Sequence, residues 1–310
     1  MNGRGYAFVN QSCLLASFCR GEEDPDLRDI GASAVIKYLN ARQITSATWR
    51  NNYATFVRFF DFWRFRDEMP ALVMPAAKPR GAQSFFPYIY SKAEIRRLLK
   101  AVDASQSDGN CTIAPDTLKA LLLTLYGTGA RLGEVLTLRV GDLDHRAAVL
   151  HLRALGRTVP RRLPLNHDLL DALIQHSEHR ELTQSSSDLL FVNREGRRIP
   201  ETTLRHTYGR LCKIAGVSRR YGKEFRPRLN DLRPTFAVHR ITWWIDTRQD
   251  LNRMLPALAA YMGHAGLGTT EQYLQKAPER FRKQLRLLCP KDSKPHWRED
   301  SGLMRFLRTL

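Results

Sequence analysis

Two arginines, a histidine and a tyrosine, Arg131, Arg233, His264 and Tyr273, are of the residue types that could act on a phosphodiester without a metal ion. Arg131 opens a predicted helix after the turn Gly127-Thr-Gly-Ala, with Glu134 one turn later. Arg233 sits in Asn230-Asp-Leu-Arg233-Pro-Thr-Phe-Ala, and Tyr261-Met-Gly-His264 is followed nine residues later by Tyr273. Cleavage without a metal requires an activated nucleophile, cations on the two non-bridging oxygens and a proton for the leaving oxygen. Arg131 and Arg233 can each offer phosphate a planar fork of donors. His264 can donate to the same group from a ring nitrogen, and Tyr273 can supply the attacking oxygen. Glu134 is suited to orienting an arginine or capping the fold rather than to reacting. No metal-binding cluster is visible in the sequence, and the chemistry calls for no cofactor.

Taken singly, these residues are commonplace, since surface arginines form salt bridges and a helical tyrosine usually belongs to a core. Their value is joint. The three blocks, in this order, resemble the tyrosine recombinase (phage integrase) family, whose pattern runs from G-x-R-x-x-E through H-x-L-R to L-G-H and a tyrosine nine positions on. The resemblance covers about residues 90–289, and more loosely the helical segment before them. It implies a DNA strand transferase that forms a 3′-phosphotyrosyl bond at Tyr273, with catalytic roles for Arg131, Arg233 and His264. It also points to Asn230 and Arg157, where the chain departs from the pattern. The family has histidine or lysine at the position of Asn230, and commonly a second histidine at that of Pro234. Its hairpin turn carries a lysine, whereas this chain has no lysine between Lys119 and Lys213. Arg157 occupies the matching turn, with Arg153 just before it as a second candidate. Arginine keeps the charge, but its guanidinium holds its protons too tightly to be a good proton donor near neutrality. The long interval from Arg233 to His264, filled by His239-Arg-Ile-Thr-Trp-Trp-Ile-Asp, resembles recombinases of transposons that encode several such proteins side by side.

The elements that must position these groups can be read from periodicity. Trp49, Tyr53, Phe56, Phe60 and Trp63 recur at three- and four-residue steps, which predicts a helix over 45–65 with Thr45 or Ser46 as its cap, after a shorter one over 31–41. Arg42, Arg50, Arg58, Arg64 and Arg66 are available on the polar faces of this small helical unit. Residues 69–87 carry Pro70, Pro75, Pro79, Gly81 and Pro87, the composition of a linker. Beyond it, Ser91-Lys-Ala-Glu94 is a capping box opening a helix, and further helices are predicted over 115–126, 131–138, 202–215, 232–245, 251–262 and 269–275. Residues 149–152 and 162–164 read as two short strands joined by a basic turn. The expected fold class is mainly α with a small β-sheet (α+β), which the resemblance divides into a helical core-binding domain plus a tyrosine-recombinase-like catalytic domain. The boundaries are an N-terminal extension at 1–24, the core-binding DNA-binding domain at 25–72, a linker at 73–88, the catalytic domain at 89–289 and a tail at 290–310. The apolar end of that tail, residues 302–310, either folds back or, as the resemblance implies, docks on a neighbouring subunit.

The bulk numbers agree with a polyanionic partner. A formal net charge of +18 and a pI near 10.1 favour phosphates, because Lys and Arg release condensed counterions from them. Double-stranded DNA is the expected partner, in a homo-oligomer, a tetramer on paired sites, with related recombinases as further candidates. No apolar run approaches 18 residues, which argues against a membrane and for a cytoplasmic protein. The five cysteines are scattered and read as reduced thiols. Three readings stay open: an active recombinase of a mobile element, a DNA-binding partner subunit with weakened catalysis, and a type IB topoisomerase-like nicking enzyme. The order of the blocks argues against the last.

Overall fold

Rings spaced at helical intervals need a shared interior, and the first helices supply it. In the computed structural model the described residues are 9–22, 26, 28–41, 44–66, 74, 76–78, 87–107, 111–154, 159–182, 188–218 and 226–264. They fall into two units, Met1–Phe85 and Phe86–Leu310. The first holds α1 (Val9–Gly21), α2 (Ala32–Asn40) and α3 (Ser46–Arg64). Phe18 sits edge-on to Tyr38 and Phe56, with ring centroids 5.2 and 5.1 Å apart, and Trp49, Phe56 and Phe60 are buried beside them. Thr45 caps α3 by accepting from the Thr48 N–H. Trp49 Nε1 donates to Asn40 Oδ1 at 3.1 Å, and Lys78 Nζ donates to the same oxygen while standing 4.7 Å above the Trp49 ring. Leu14 and Phe18 of α1 belong to this core.

The second unit opens with α4 (Lys92–Lys100), where Ser91 Oγ accepts from the Glu94 N–H and Glu94 Oε2 accepts from the Ser91 N–H. After the single turn α5 (Val102–Ser105) comes α6 (Pro115–Thr128), the central helix, buried along most of its length and packed against α8 (His167–Leu182) and α10 (Leu232–Asp246). Between them lie α7 (Leu132–Val135) and a three-stranded antiparallel sheet in the order β1 (Leu143–Asp144), β2 (Val149–Leu152), β3 (Arg161–Pro164). Leu150 pairs with Leu143 on one side and Leu163 on the other. The side-chain period of two puts Arg161 on the same inward face as buried Leu163, and Arg162 outward. Strand β1, only two residues long, has no periodicity of its own. Helix α7 is one turn rather than the helix expected over 131–138. The backbones of Leu138 and Val140 leave it to pair with Leu190 and Asp188, at 2.7 and 2.9 Å.

The remaining helices are α9 (Glu201–Ile214), α10 and α11 (Leu251–Met262). Helices α10 and α11 share a second core around Phe236, Ile241, Leu255 and Met262. Among the described residues, no helix is long and apolar enough to cross a membrane.

Candidate active site

Each candidate cation is set by a backbone reversal that its local sequence requires. Helix α6 ends at Gly129 with φ +62, and a Cβ there would come within 2.5 Å of the Phe236 ring. Only glycine meets both conditions. The reversal delivers Arg131 to the start of α7, where its N–H donates to Glu134 Oε2 at 2.8 Å. The same Arg-x-x-acid turn recurs at Arg139/Asp142 and Arg228/Asp231, the carboxylate accepting from the arginine N–H at 2.9 Å in both. The third of these turns aims Arg233. Asp231 is buried, its carbonyl accepts from Thr235 Oγ1 at 2.7 Å, and Thr235 Oγ1 in turn accepts from the Tyr90 N–H at 3.1 Å.

His264 follows the end of α11. Gly263 has φ +67, its N–H reaches the Ala260 carbonyl, and the His264 N–H reaches that of Ala259 at 2.9 Å, which together form a Schellman close. That close leaves the last carbonyls of the helix facing outward, and three arginines take them in succession. Arg161 Nε donates to Tyr261 O at 2.8 Å, Arg233 Nη2 to Met262 O at 2.8 Å, and Arg131 Nη2 to Gly263 O at 3.0 Å. A helix C-terminus carries partial negative charge and favours cations. Arg233 Nη1 also donates to the Gly129 carbonyl at 2.6 Å, which ties the two reversals together.

The electrostatics follow from this crowding. Burial first, then the guanidinium groups of Arg233, Arg131 and Arg161, press the His264 imidazole down to about 4, so it is neutral near physiological pH. Burial works to raise the Glu134 carboxyl. The hydrogen bonds and charges of Arg161 and Arg131 outweigh it and hold Glu134 ionised, below its ordinary range. Glu134 therefore orients arginines and caps a turn. Three guanidinium groups against one carboxylate leave a corner of net positive charge suited to an anion.

The structure brings Arg131, Arg233 and His264 to one corner. Asn230 is exposed on the 3-10 turn Leu229–Asp231 just before α10. Arg157 and Tyr273 lie outside the described residues, as do the segments 269–275 and 290–310. Arg153 is engaged with Asp142 Oδ1, at 2.9 Å from Nε and 2.7 Å from Nη2. Arg161 was not singled out by the sequence. One signal pointed to it: two adjacent arginines on a strand face opposite ways, so one of Arg161 and Arg162 must turn inward. Among the described residues no group of His, Cys, Asp and Glu is arranged to hold a metal ion.

The model of the phage integrase family matches residues 90–280. A protein named integrase/recombinase y4rB, from Sinorhizobium fredii, is 31% identical over 75% of this chain and 76% of its own length. The tyrosine recombinase XerC of Staphylococcus carnosus is 25% identical over 80% and 77%. Among solved structures, the XerH site-specific recombinase bound to palindromic difH substrate aligns with a TM-score of 0.64 at 19% identity, over 89% of this chain and 78% of that one. The Tn1549 transposon integrase in complex with transposon right end DNA aligns with 0.62 at 18% identity, over 92% and 95%. The two structural likenesses carry the fold. The chain belongs to the phage integrase family. Within it the chain is an enzyme of the tyrosine recombinase type, a DNA strand transferase.

Proposed function

We propose that this chain is a site-specific recombinase or transposase that breaks and rejoins double-stranded DNA through a 3′-phosphotyrosyl intermediate at Tyr273, integrating, excising or transposing a mobile element. The observation that supports this most is the convergence of Arg131, Arg233 and His264 on the end of α11, nine residues before Tyr273. In the reaction the Tyr273 oxygen bonds to phosphorus and loses its proton, the bond from phosphorus to the 5′ oxygen breaks, and that oxygen takes up a proton. Arg131 and Arg233 bind the non-bridging oxygens and hold the charge that builds in the pentavalent transition state. Neutral His264 provides one further N–H. A second DNA 5′-hydroxyl reverses the step without ATP, because the phosphodiester energy is kept in the tyrosyl bond. The first unit, with Arg58, Arg64 and Arg66 exposed on α3 and just beyond it, grips the duplex as the core-binding domain. Copies of the chain pair on two sites, a tetramer in the complete assembly.

A second reading rests on Asn230 and Arg157. Neither side chain can pass a proton as the usual histidine or lysine does, which suits a DNA-binding partner subunit with weakened catalysis. One experiment separates the two. A binding duplex is selected from a random pool, nicked at successive positions and incubated with the full chain. A covalent adduct that is lost in Tyr273→Phe, with affinity retained, is expected for the enzyme. Binding without adduct supports the partner subunit, and an adduct that survives Tyr273→Phe moves the nucleophile elsewhere. Affinity is expected to fall steeply with salt as several phosphates are neutralised.

A further inference from the structure

Arg161 is a third guanidinium at the corner, and the chemistry above leaves it without a role. Its side chain is 9% exposed against 39% for Arg131, so Arg131 can reach a bound phosphate and Arg161 cannot. Its fork is also committed. Nη1 and Nη2 donate to Glu134 Oε1 and Oε2 at 2.8 and 2.9 Å, while Nε donates to the Tyr261 carbonyl. The same two carboxylate oxygens receive the Arg131 guanidinium at 3.3 Å and the Arg131 N–H at 2.8 Å. The turn that carries Arg131 and the corner that carries His264 therefore meet on one buried side chain from β3. Gly263 points the same way independently. A Cβ there would come within 2.8 Å of Arg161 Nη1 and 2.9 Å of Cζ, so the guanidinium lies against the bare Gly263 backbone.

We propose that Arg161 is a positioning residue that fixes the register between Arg131 and His264 without touching the phosphate; this rests on reading Arg131 and His264 as phosphate ligands. A planar fork can span a carboxylate on one edge and a carbonyl on the other. A lysine ammonium is a point charge and cannot hold both directions. A site misplaced by about 1 Å loses on the order of 100-fold in rate, so the proposed role has a measurable size.

The test uses the full chain and the selected nicked duplex, with affinity and single-turnover adduct formation read separately. Arg161→Lys and Arg161→Met are expected to bind within about threefold of the wild type and to form adduct about 100-fold more slowly. Near-normal rates in both Arg161 variants, equal losses of affinity and rate, or variants that do not fold would each overturn the role. A second arm does not depend on cleavage. Inorganic phosphate is titrated onto the chain while the His264 ring resonances are followed by NMR, and Arg161→Lys is expected to need about tenfold more phosphate for the same response, a loss of about 1.4 kcal/mol. Equal responses would also overturn the proposal. If the wild type forms no adduct while the phosphate arm behaves as expected, the recombinase reading fails and the positioning role stands.

Discussion

The two units are ordered by opposite means. The Met1–Phe85 unit is held by rings: Phe18, Tyr38, Phe56 and Trp49 pack edge-on or stacked, and polar groups enter mainly at its margin, through Asn40 and Lys78. The corner of the second unit is held by hydrogen bonds from arginines to carbonyls and to one carboxylate, between segments about 30 to 130 residues apart in sequence. Apolar packing tolerates small shifts, because dispersion is non-directional and spread over many contacts. A network of directional bonds to buried groups does not, because a single lost partner leaves a desolvated polar atom. The corner proposed for the chemistry is the part whose geometry is most narrowly specified, whereas the unit proposed to grip DNA is held by contacts that need not be.

The largest expected effect tests the apolar side of this contrast. Phe56→Ala removes a fully buried ring from between Phe18 and Phe60, and is expected to lower the stability of the first unit by about 3–5 kcal/mol. Denaturant unfolding followed by the tryptophans of α3 should show it as an early transition. If that unit unfolds at the wild-type midpoint, the rings are not what holds it.

The next effect tests the polar side. Arg233→Ala is expected to slow adduct formation by about 10²–10³-fold, the size seen when one oxyanion donor is lost. Affinity should stay within several-fold, because many other cations hold the ground state. It also frees the Gly129 and Met262 carbonyls, so a modest loss of stability in the second unit should accompany it. Equal losses of rate and affinity would reduce Arg233 to an ordinary phosphate contact and weaken the contrast.

The same contrast explains what the sequence could and could not reveal. Helices α2, α3, α10 and α11 and the strands β2 and β3 were legible because each has a local period or a cap, such as the rings of α3 or Thr45 before it. Helix α1 was not, since Leu14 and Phe18 become a core only once α3 supplies Phe56. The turn at Gly129 and the placement of Arg131, Arg233 and His264 were legible as blocks. What joins them was not. Nothing near Arg161 announces a carboxylate 27 positions earlier or a carbonyl 100 positions later. Only the alternation of β3 hints that one of its two arginines faces inward. Pairing across the chain is fixed by tertiary packing, and a single sequence carries no local record of it.

A smaller effect concerns the hinge between the two reversals. Gly129→Ala would place a methyl group against Phe236 and hold alanine at φ +62, each unfavourable. Together they are expected to cost about 2 kcal/mol in the second unit. Because the Gly129 carbonyl also receives Arg233, adduct formation should fall by more than the stability loss alone would produce. A variant with normal rate and normal stability would show that Phe236 can move aside freely.

The smallest effect is a pH dependence, and its sign follows from burial first and then from the arginines. In the unfolded chain His264 titrates near its ordinary 6.5, whereas in the folded corner it is pressed down to about 4. Above 6.5 the imidazole is neutral in both states and adds no pH dependence. As pH falls from 6.5 through 4, the unfolded chain takes up as much as about one more proton than the folded one, so stability is lost across that window. The expected measurement is a difference. Denaturant unfolding of the second unit should steepen toward acid pH in the wild type and less so in His264→Asn, which keeps the backbone N–H that closes α11. Inorganic phosphate should shrink this difference, because an anion among Arg131, Arg233 and His264 favours the imidazolium and moves its folded value back up. If the two proteins lose stability in parallel from pH 6.5 to 4, or if phosphate leaves their difference unchanged, the three arginines do not act on His264 as a single charged corner. The second unit would then differ from the first only in composition, and not in how its site is held.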